Sequence, residues 1–244
     1  MNDDIFIRKI EDVFRLSEKY HSARFSKFLD EAEQAKLKQE GIFGGVLFGG
    51  YPMAERKMFG AFPDWQEPDE AEFPIQILRI SKKYEKEISH RNYLGTILAL
   101  GIERDMIGDI LVDEKGAYVF VYKDIACFIK DNITKVAGLG VDISEIDSKE
   151  LKIPQKQFEL LDIISASMRI DACVAAMLKL SRKEAKNLVL SGKVMLNHLE
   201  PKAEDAKVTE GDLLSIRGFG RAEIYKIGDK TRSDRIHITV KKYI

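Results

Sequence analysis

The sequence predicts an α+β chain of three small domains, and three observations carry that prediction. Residues 74–147 run in β-α-β-β-α-β order, as in a ferredoxin-like sandwich with helices over one face of an antiparallel sheet. Residues 167–244 open with two short amphipathic helices and continue as strands separated by glycine turns. Residues 1–73 mix two helices with a glycine-bounded strand, an α/β arrangement that Pro63 and Pro68 bring to a close. Between the last two domains, residues 148–166 start polar, contain Pro154 and read as an extended, partly ordered linker.

In the first domain, residues 2–20 set Ile5, Ile10, Val13, Phe14 and Leu16 among charges, the pattern of an amphipathic helix. A second helix is expected over 26–39, with Phe28, Leu29, Ala32 and Ala35 inward and Gly41 at its close. Residues 44–51 read as a short buried strand between glycine turns. Their glycine spacing is neither that of a Walker loop nor that of a dinucleotide site. Ala54-Glu55-Arg56-Lys57 then leads into the apolar run 58–62.

The middle domain places strands at 75–80, 107–112, 117–122 and 141–146, with helices at 91–100 and 124–136. Asp113-Glu114-Lys115-Gly116 is a hairpin signal between the second and third strands. Tyr118, Phe120 and Tyr122 alternate with Val119 and Val121, so one face of the third strand is aromatic. The run 115–120 loosely resembles the RNA-recognition-motif (RRM) strand on which bases stack. Ala117 and Val119 stand at two aromatic positions of that pattern, so the face is expected to pack against a core or a partner.

In the last domain, Ile170, Val174, Met177 and Leu178 share one helix face. Ser181-Arg182-Lys183-Glu184 is a capping box that starts a second helix, which buries Ala185, Leu188 and Val189 and stops at Ser191-Gly192. A strand over 193–197 follows, with Val194 and Leu196 on one face; Leu214 and Ile216 point inward from the next. The final strand, 235–240, buries Ile236, Ile238 and Val240. Arg182 and Lys183 lie in a first helical turn, where the backbone dipole disfavours each cation by roughly 0.3–1 kcal/mol. Free N–H groups at such an end bind phosphate. With Lys186 they make a cationic stripe whose negative partner is expected to be a nucleic-acid backbone. The loop Arg217-Gly218-Phe219-Gly220-Arg221 adds two guanidiniums beside flexible backbone, suited to gripping phosphate.

Arg169-Ile170-Asp171, Ser181-Arg182-Lys183, Gly192-Lys193-Val194, Asn197 and Gly211-Asp212, in this order and spacing, resemble the S4 RNA-binding module. His198 stands where that module's turn has glycine. The resemblance implies RNA contacts from Arg169, Ser181, Arg182, Lys183, Lys186, Lys193, Asn197, Arg217, Gly220 and Arg221. Gly49-Gly50-Tyr51 with Ala54-Glu55-Arg56-Lys57, together with residues 90–95, Gly101-Ile102 and 107–110, are similar to the YlmH family. That family places an N-terminal domain and an RRM-like domain before a C-terminal S4 domain. Membership implies a bacterial RNA-binding protein, encoded near cell-division genes, that associates with the large ribosomal subunit and helps handle stalled peptidyl-tRNA. Arg56, Lys57, Arg91 and Asn92 are secondary candidates for RNA or partner contact; the first three are also placed to pair with nearby acids.

Composition narrows the function classes. The chain has 244 residues, 45% apolar and 32% charged, with no apolar run near the roughly 20 residues that cross a bilayer. Met1-Asn2-Asp3-Asp4 is acidic and lacks a hydrophobic secretory core, so a cytoplasmic location is expected; the chain is expected to be a monomer. Cys127 and Cys173 fall in predicted helices and are expected to be buried, reduced thiols. His21, His90, His198 and His237 have no metal-ligand spacing, and neither a metal nor a cofactor is expected. A net charge of −1 conceals a division: residues 168–244 hold 16 basic against 10 acidic residues, the remainder 23 against 30. Phosphate binding is therefore expected at the C-terminal end. Asp171, in a first helical turn, reads as a locally paired acid rather than a catalytic one. The expected function is non-enzymatic binding of structured ribosomal or transfer RNA. The alternatives are an RNA-modifying enzyme centred on Arg56, Lys57 and Arg91, and an adaptor whose acidic body recruits a protein.

Overall fold

The first element, α1 (Asp3–Tyr20), turns Phe6, Ile10 and Val13 into a core, while Ile5, expected on that face, is 49% exposed. This computed structural model describes residues 3–154 and 158–243, and the chain forms two compact units, Met1–Pro154 and Gln155–Ile244.

In the first unit, β1 (Arg24–Leu29) precedes α2 (Glu31–Gln39), so the helix expected over 26–39 is half strand. Asp30 sets the boundary. Its carboxylate accepts the Glu33 N–H at 2.9 Å while Glu33 accepts the Asp30 N–H at 2.8 Å, closing a capping box. Ahead of it, Phe28 and Leu29 enter different cores, as successive residues of a strand must. β2 (Val46–Phe48) is half-buried rather than buried, and with β3 (Lys57–Ala61) it completes an antiparallel sheet ordered β1-β3-β2.

A second sheet follows within the same unit. β4 (Ile75–Lys82), α3 (His90–Leu98), β5 (Ile107–Asp113), β6 (Gly116–Tyr122), α4 (Ala126–Asn132), β7 (Lys135–Val136) and β8 (Leu139–Ile146) give the antiparallel order β5-β6-β4-β8-β7. α4 is shorter than expected, because residues 123–125 form a 3₁₀ turn and 135–136 pair with β8. On one face Leu78, Ile80, Val119 and Val121 pack with Tyr93, Ile97 and Ile129 from the helices. On the other, Ile77, Tyr118 and Phe120 pack with Phe28, Tyr51 and Met58 from the N-terminal part. Phe120 is fully buried, with the Tyr51 ring 5.0 Å from its own. The aromatic strand face is thus core, and its central ring is closed to bases.

Asp109 pins this packing. Its carboxylate, 8% exposed, accepts from the Tyr51 hydroxyl at 2.7 Å and from the Glu55 and Arg56 N–H groups at 2.7 and 3.0 Å. Burial and the Asp109 charge push the Tyr51 hydroxyl well above the ordinary phenol range. Gly50 and Gly108 flank the contact: a β-carbon would lie 2.6 Å from the Phe120 ring in one case and 2.7 Å from the Phe28 ring in the other.

In the second unit, β9 (Phe158–Ser165) pairs along its whole length with a later strand, so the stretch assigned to a linker supplies an edge strand. Of that expected linker, residues 155–157 lie outside the described residues. α5 (Ile170–Leu178) and α6 (Arg182–Leu190) cover the sheet completed by β10 (Val194–Leu196), β11 (Leu213–Ile216), β12 (Gly220–Lys230) and β13 (Ile236–Tyr243). Its order is β10-β11-β12-β13-β9, antiparallel throughout. Cys173 is buried, whereas Cys127 on α4 is exposed, contrary to expectation.

Gly108→Ala is expected to lower unfolding free energy by about 1–3 kcal/mol through overpacking. Gly95→Ala, in α3 with nothing near the added carbon, should raise it by about 0.5–1 kcal/mol. Urea unfolding of the two variants checks both signs.

Candidate nucleic-acid interface

The candidate site is built on the junction of α5 and α6. Ser181 caps α6 as its sequence requires: its hydroxyl accepts the Glu184 N–H at 3.3 Å, and Glu184 accepts the Ser181 N–H at 2.9 Å. The Ser181 hydroxyl and N–H hold the Glu184 carboxyl below its usual range. The helix therefore starts at Arg182, which puts Arg182 and Lys183 in its first turn.

Beneath them lies Asp171, in the first turn of α5, its side chain 5% exposed. One carboxylate oxygen accepts from Arg169 Nε at 3.1 Å and from the Ala172 N–H at 2.9 Å. The other accepts from the second Arg169 nitrogen at 3.3 Å and from Arg182 at 3.1 Å. Burial alone would raise this carboxyl, but the hydrogen bonds from Arg169 and Arg182 outweigh it and hold the group below its usual range. One acid thus fixes two guanidiniums from two helices, and both keep an open side: Arg169 is 41% and Arg182 54% exposed.

Sequence reasoning expected this stripe to lack a negative partner within the protein, and the structure corrects that. Asp205 lies 3.5 Å from Arg169, and Glu204 contacts the Lys186 ammonium. The strand-like bridge between Arg169 and Lys207, with the Ile170 N–H donating to the Ala206 carbonyl at 2.8 Å, brings this acidic segment against the helices. Of the stripe, only Lys183 has no ion pair among the described residues.

A second basic cluster forms at the far end of α6. Lys193 follows the helix, and its carbonyl accepts the Arg217 N–H at 2.9 Å, setting two exposed cations side by side. Neither has an ion pair among the described residues. Gly218 and Gly220, at φ +87 and +106, turn the chain here, and Arg221 lies opposite Ser215 on the adjoining strand. The nine residues of α6 span about 13 Å at 1.5 Å per residue, so clusters at its two ends make a stripe rather than a point.

Asn197 belongs to the scaffold. Asn197 and His198 have φ of +49 and +69, and Leu196 and Leu199 exchange hydrogen bonds at 2.8 and 3.1 Å, so histidine here adopts the glycine conformation of a tight hairpin. The Asn197 amide donates to Asp212 at 2.8 Å and accepts the Leu213 N–H at 2.9 Å. Both ends of the side chain are used within the protein.

The secondary candidates lie in the first unit and divide. Asn92 completes the cap of α3 with Ser89. Arg56 donates to the Ile107 and Phe28 carbonyls at 3.1 and 3.0 Å, so it joins chain segments rather than pairing with an acid. Arg91 is exposed, and Lys57 is half-buried at the start of β3. Among the described residues no group of three or more His, Cys, Asp or Glu is placed to hold a metal, and no helix is long and apolar enough to cross a membrane.

Comparison with known proteins adds to this geometry. Residues 68–150 match the family model described as "Putative RNA-binding domain in YlmH". The chain is 33% identical over 242 residues to ribosome-associated protein quality control protein P2 of Bacillus subtilis (strain 168), covering 97% of this chain and 94% of that protein. Cell division protein ylmH from Streptococcus pneumoniae, 24% identical in sequence, shares the fold with a TM-score of 0.54 over 63% of this chain and 96% of its own.

Asp171→Asn should destabilise the protein at pH 7 by about 1–3 kcal/mol, the cost of weakening a charged hydrogen-bond set at a buried position. Because the folded carboxyl titrates below its unfolded value, its contribution is complete above about pH 4 and fades as pH falls through the folded value. Unfolding measured at pH 7 and pH 3 should therefore show the gap between variant and wild type shrinking with acid.

Proposed function

This chain belongs to the YlmH family, and on that premise we propose that it binds structured RNA on the large ribosomal subunit in quality control of stalled translation. The supporting observation is the junction of α5 and α6, where Asp171 orients Arg169 and Arg182 with open guanidinium faces beside Lys183, which has no ion pair among the described residues. A fold built for stability alone would put acids, not arginine and lysine, in the first turn of α6. The relative that is 33% identical carries ribosome-associated quality control in its name, and that name is not an enzyme's.

The finer reading assigns an S4 module to residues 167–244, to which β9 contributes an edge strand, an RRM-like module to 74–147 and a separate N-terminal domain to 1–73. Contacts come from Arg169, Arg182, Lys183 and Lys186 at one end of α6 and from Lys193, Arg217 and Arg221 at the other. Ser181, Asn197 and Gly220 shape the backbone that carries them. Ribosomal RNA and peptidyl-tRNA are the ligands, and no cofactor, metal, membrane or second copy takes part. A-form RNA hides its deep groove, so recognition proceeds through phosphates and shape. Non-enzymatic binding fits the chain better than RNA modification, because Arg56 is committed to main-chain carbonyls and offers no reactive group.

Glu204 and Asp205 then act as internal competitors for the same cations, which RNA phosphates must displace. Replacing them by Gln and Asn should tighten RNA binding about 2–10-fold, the scale of two exposed ion pairs. Filter binding with ribosomal RNA at fixed salt measures it. Lys183→Glu with Lys186→Glu should abolish co-sedimentation with the large subunit while circular dichroism stays native. Retained co-sedimentation with native dichroism would remove this face from the interface.

A further inference from the structure

The core that the N-terminal segment shares with the five-stranded sheet ends in an open groove of about 570 Å³, beside the 3₁₀ turns Glu70–Glu72 and Ser148–Glu150. Its floor is apolar: Phe73 and Ile77 are buried there, and Phe48, Ile75 and Ile146 are half-buried. Its rim is the opposite. The charged residues lining it are Glu70, Glu145 and Asp147, with no lysine or arginine among the described residues. Glu145 gives one oxygen to the Lys130 ammonium at 2.7 Å, and Asp147 accepts the Lys149 N–H at 2.9 Å. The Lys149 ammonium also acts on Asp147, yet neither Lys130 nor Lys149 lines the groove. Glu70 is exposed, and its carboxylate has no partner among the described residues. Gln76 donates its amide to the Ile77 and Ile146 carbonyls, both at 3.3 Å, which leaves the amide oxygen as a further acceptor.

The chain leading into this rim continues the pattern. Residues 58–78 hold five acids, Asp64, Glu67, Asp69, Glu70 and Glu72, and no basic residue. Among them Trp65 is 70% exposed, so its indole adds little to the core. The Gln66 amide donates to Glu72, which ties the turn carrying Trp65 to the wall of the groove.

We propose that this groove, with Trp65 at its approach, docks an extended segment of a protein partner rich in lysine and arginine. Such side chains lay aliphatic stems along apolar surface and carry their charge beyond it. The stems lie over Phe73, Ile75 and Ile146, and the cations meet Glu70, Asp147 and the second oxygen of Glu145. The ring face of Trp65 takes a further cation. The three carboxylates repel a nucleic-acid backbone, and a wholly apolar segment would cover them without partners. A polypeptide also brings apolar side chains to the floor, which a free polyamine lacks. The site stands apart from the α5–α6 face and is independent of RNA binding there.

Trp65 is the chain's single tryptophan and therefore reports on the groove. The full-length protein is titrated with a synthetic peptide alternating lysine with valine while acrylamide quenching of the tryptophan is followed. The peptide should shield Trp65 saturably, and one alternating glutamate with valine should not. Carbodiimide, which joins carboxylates directly to amines, should link the lysine peptide to Glu70, Glu145 or Asp147. Glu70→Lys should weaken the peptide about tenfold in a normally melting protein. Glu11→Lys, an equal change of charge at an exposed position of α1 outside the groove, should weaken it less than about twofold. Should Glu70→Lys lower melting, Glu70→Gln should still weaken the peptide about threefold. An equal loss from Glu70→Lys and Glu11→Lys would show attraction to the acidic unit as a whole and overturn the groove. Absence of saturable shielding, or shielding by the glutamate peptide as well, would overturn docking altogether. Displacement of the peptide by spermidine at matched ionic strength would overturn the assignment to a polypeptide. RNA binding, measured separately by filter binding, should be unchanged by Glu70→Lys; its failure would leave this site untouched.

Discussion

Asp171 occupies a depth at which an unpaired carboxylate would be costly, and two arginines meet that cost from opposite sides. Remove Asp171 and both arginines lose their orientation as well as their charge partner. The helix junction holds its shape because Arg169 caps one helix while Arg182 opens the next, and one acid ties them together. The cations that face outward are in this way part of the unit's folding. Their N–H groups not used by Asp171 remain available, since a guanidinium has five donors. Pairing with a buried acid and contact with an outside phosphate are compatible for arginine, whose planar fork presents donors along more than one edge.

The first unit shows a different use of the same chemistry. Its five-stranded sheet has the strand order in which an aromatic face can receive bases, yet that face is taken by the N-terminal segment. Glycine at positions 50 and 108 permits the approach, and Asp109 rewards it with three hydrogen bonds. The motifs that made residues 49–57 and 107–110 look like one family signature are two halves of this single contact. Their chemistry is that of packing.

Legibility in the sequence followed distance along the chain. Ser181 and Glu184 are three residues apart, so the cap of α6 was readable, and with it the placement of Arg182 and Lys183. The alternation of Tyr118 and Phe120 with Val119 and Val121 placed a two-sided strand correctly, and its aromatic side proved to be core. Residues 26–29 misled because Phe28, Leu29, Ala32 and Ala35 also satisfy a helical period; the signal that decides against a helix there, Asp30 with Glu33, was present and is local. The pairing of Arg169 with Asp205 and of Lys186 with Glu204 was not readable. Glu204 and Asp205 reach them only because a segment some 35 residues downstream bridges back to Arg169. β9 looked like a linker because its exposed apolar residues, Phe158, Leu160 and Ile164, gain their order from pairing with the last strand of the chain.

The junction of α5 and α6 is the claim on which the functional account rests, and a structure of the chain bound to the large ribosomal subunit tests it most directly. The account predicts an RNA backbone lying along α6, with phosphate oxygens within hydrogen-bond distance of Arg182 and Lys183 and with Asp171 still holding both arginines. A bound state in which that face is turned to solvent, while another surface of the second unit meets the RNA, would contradict it.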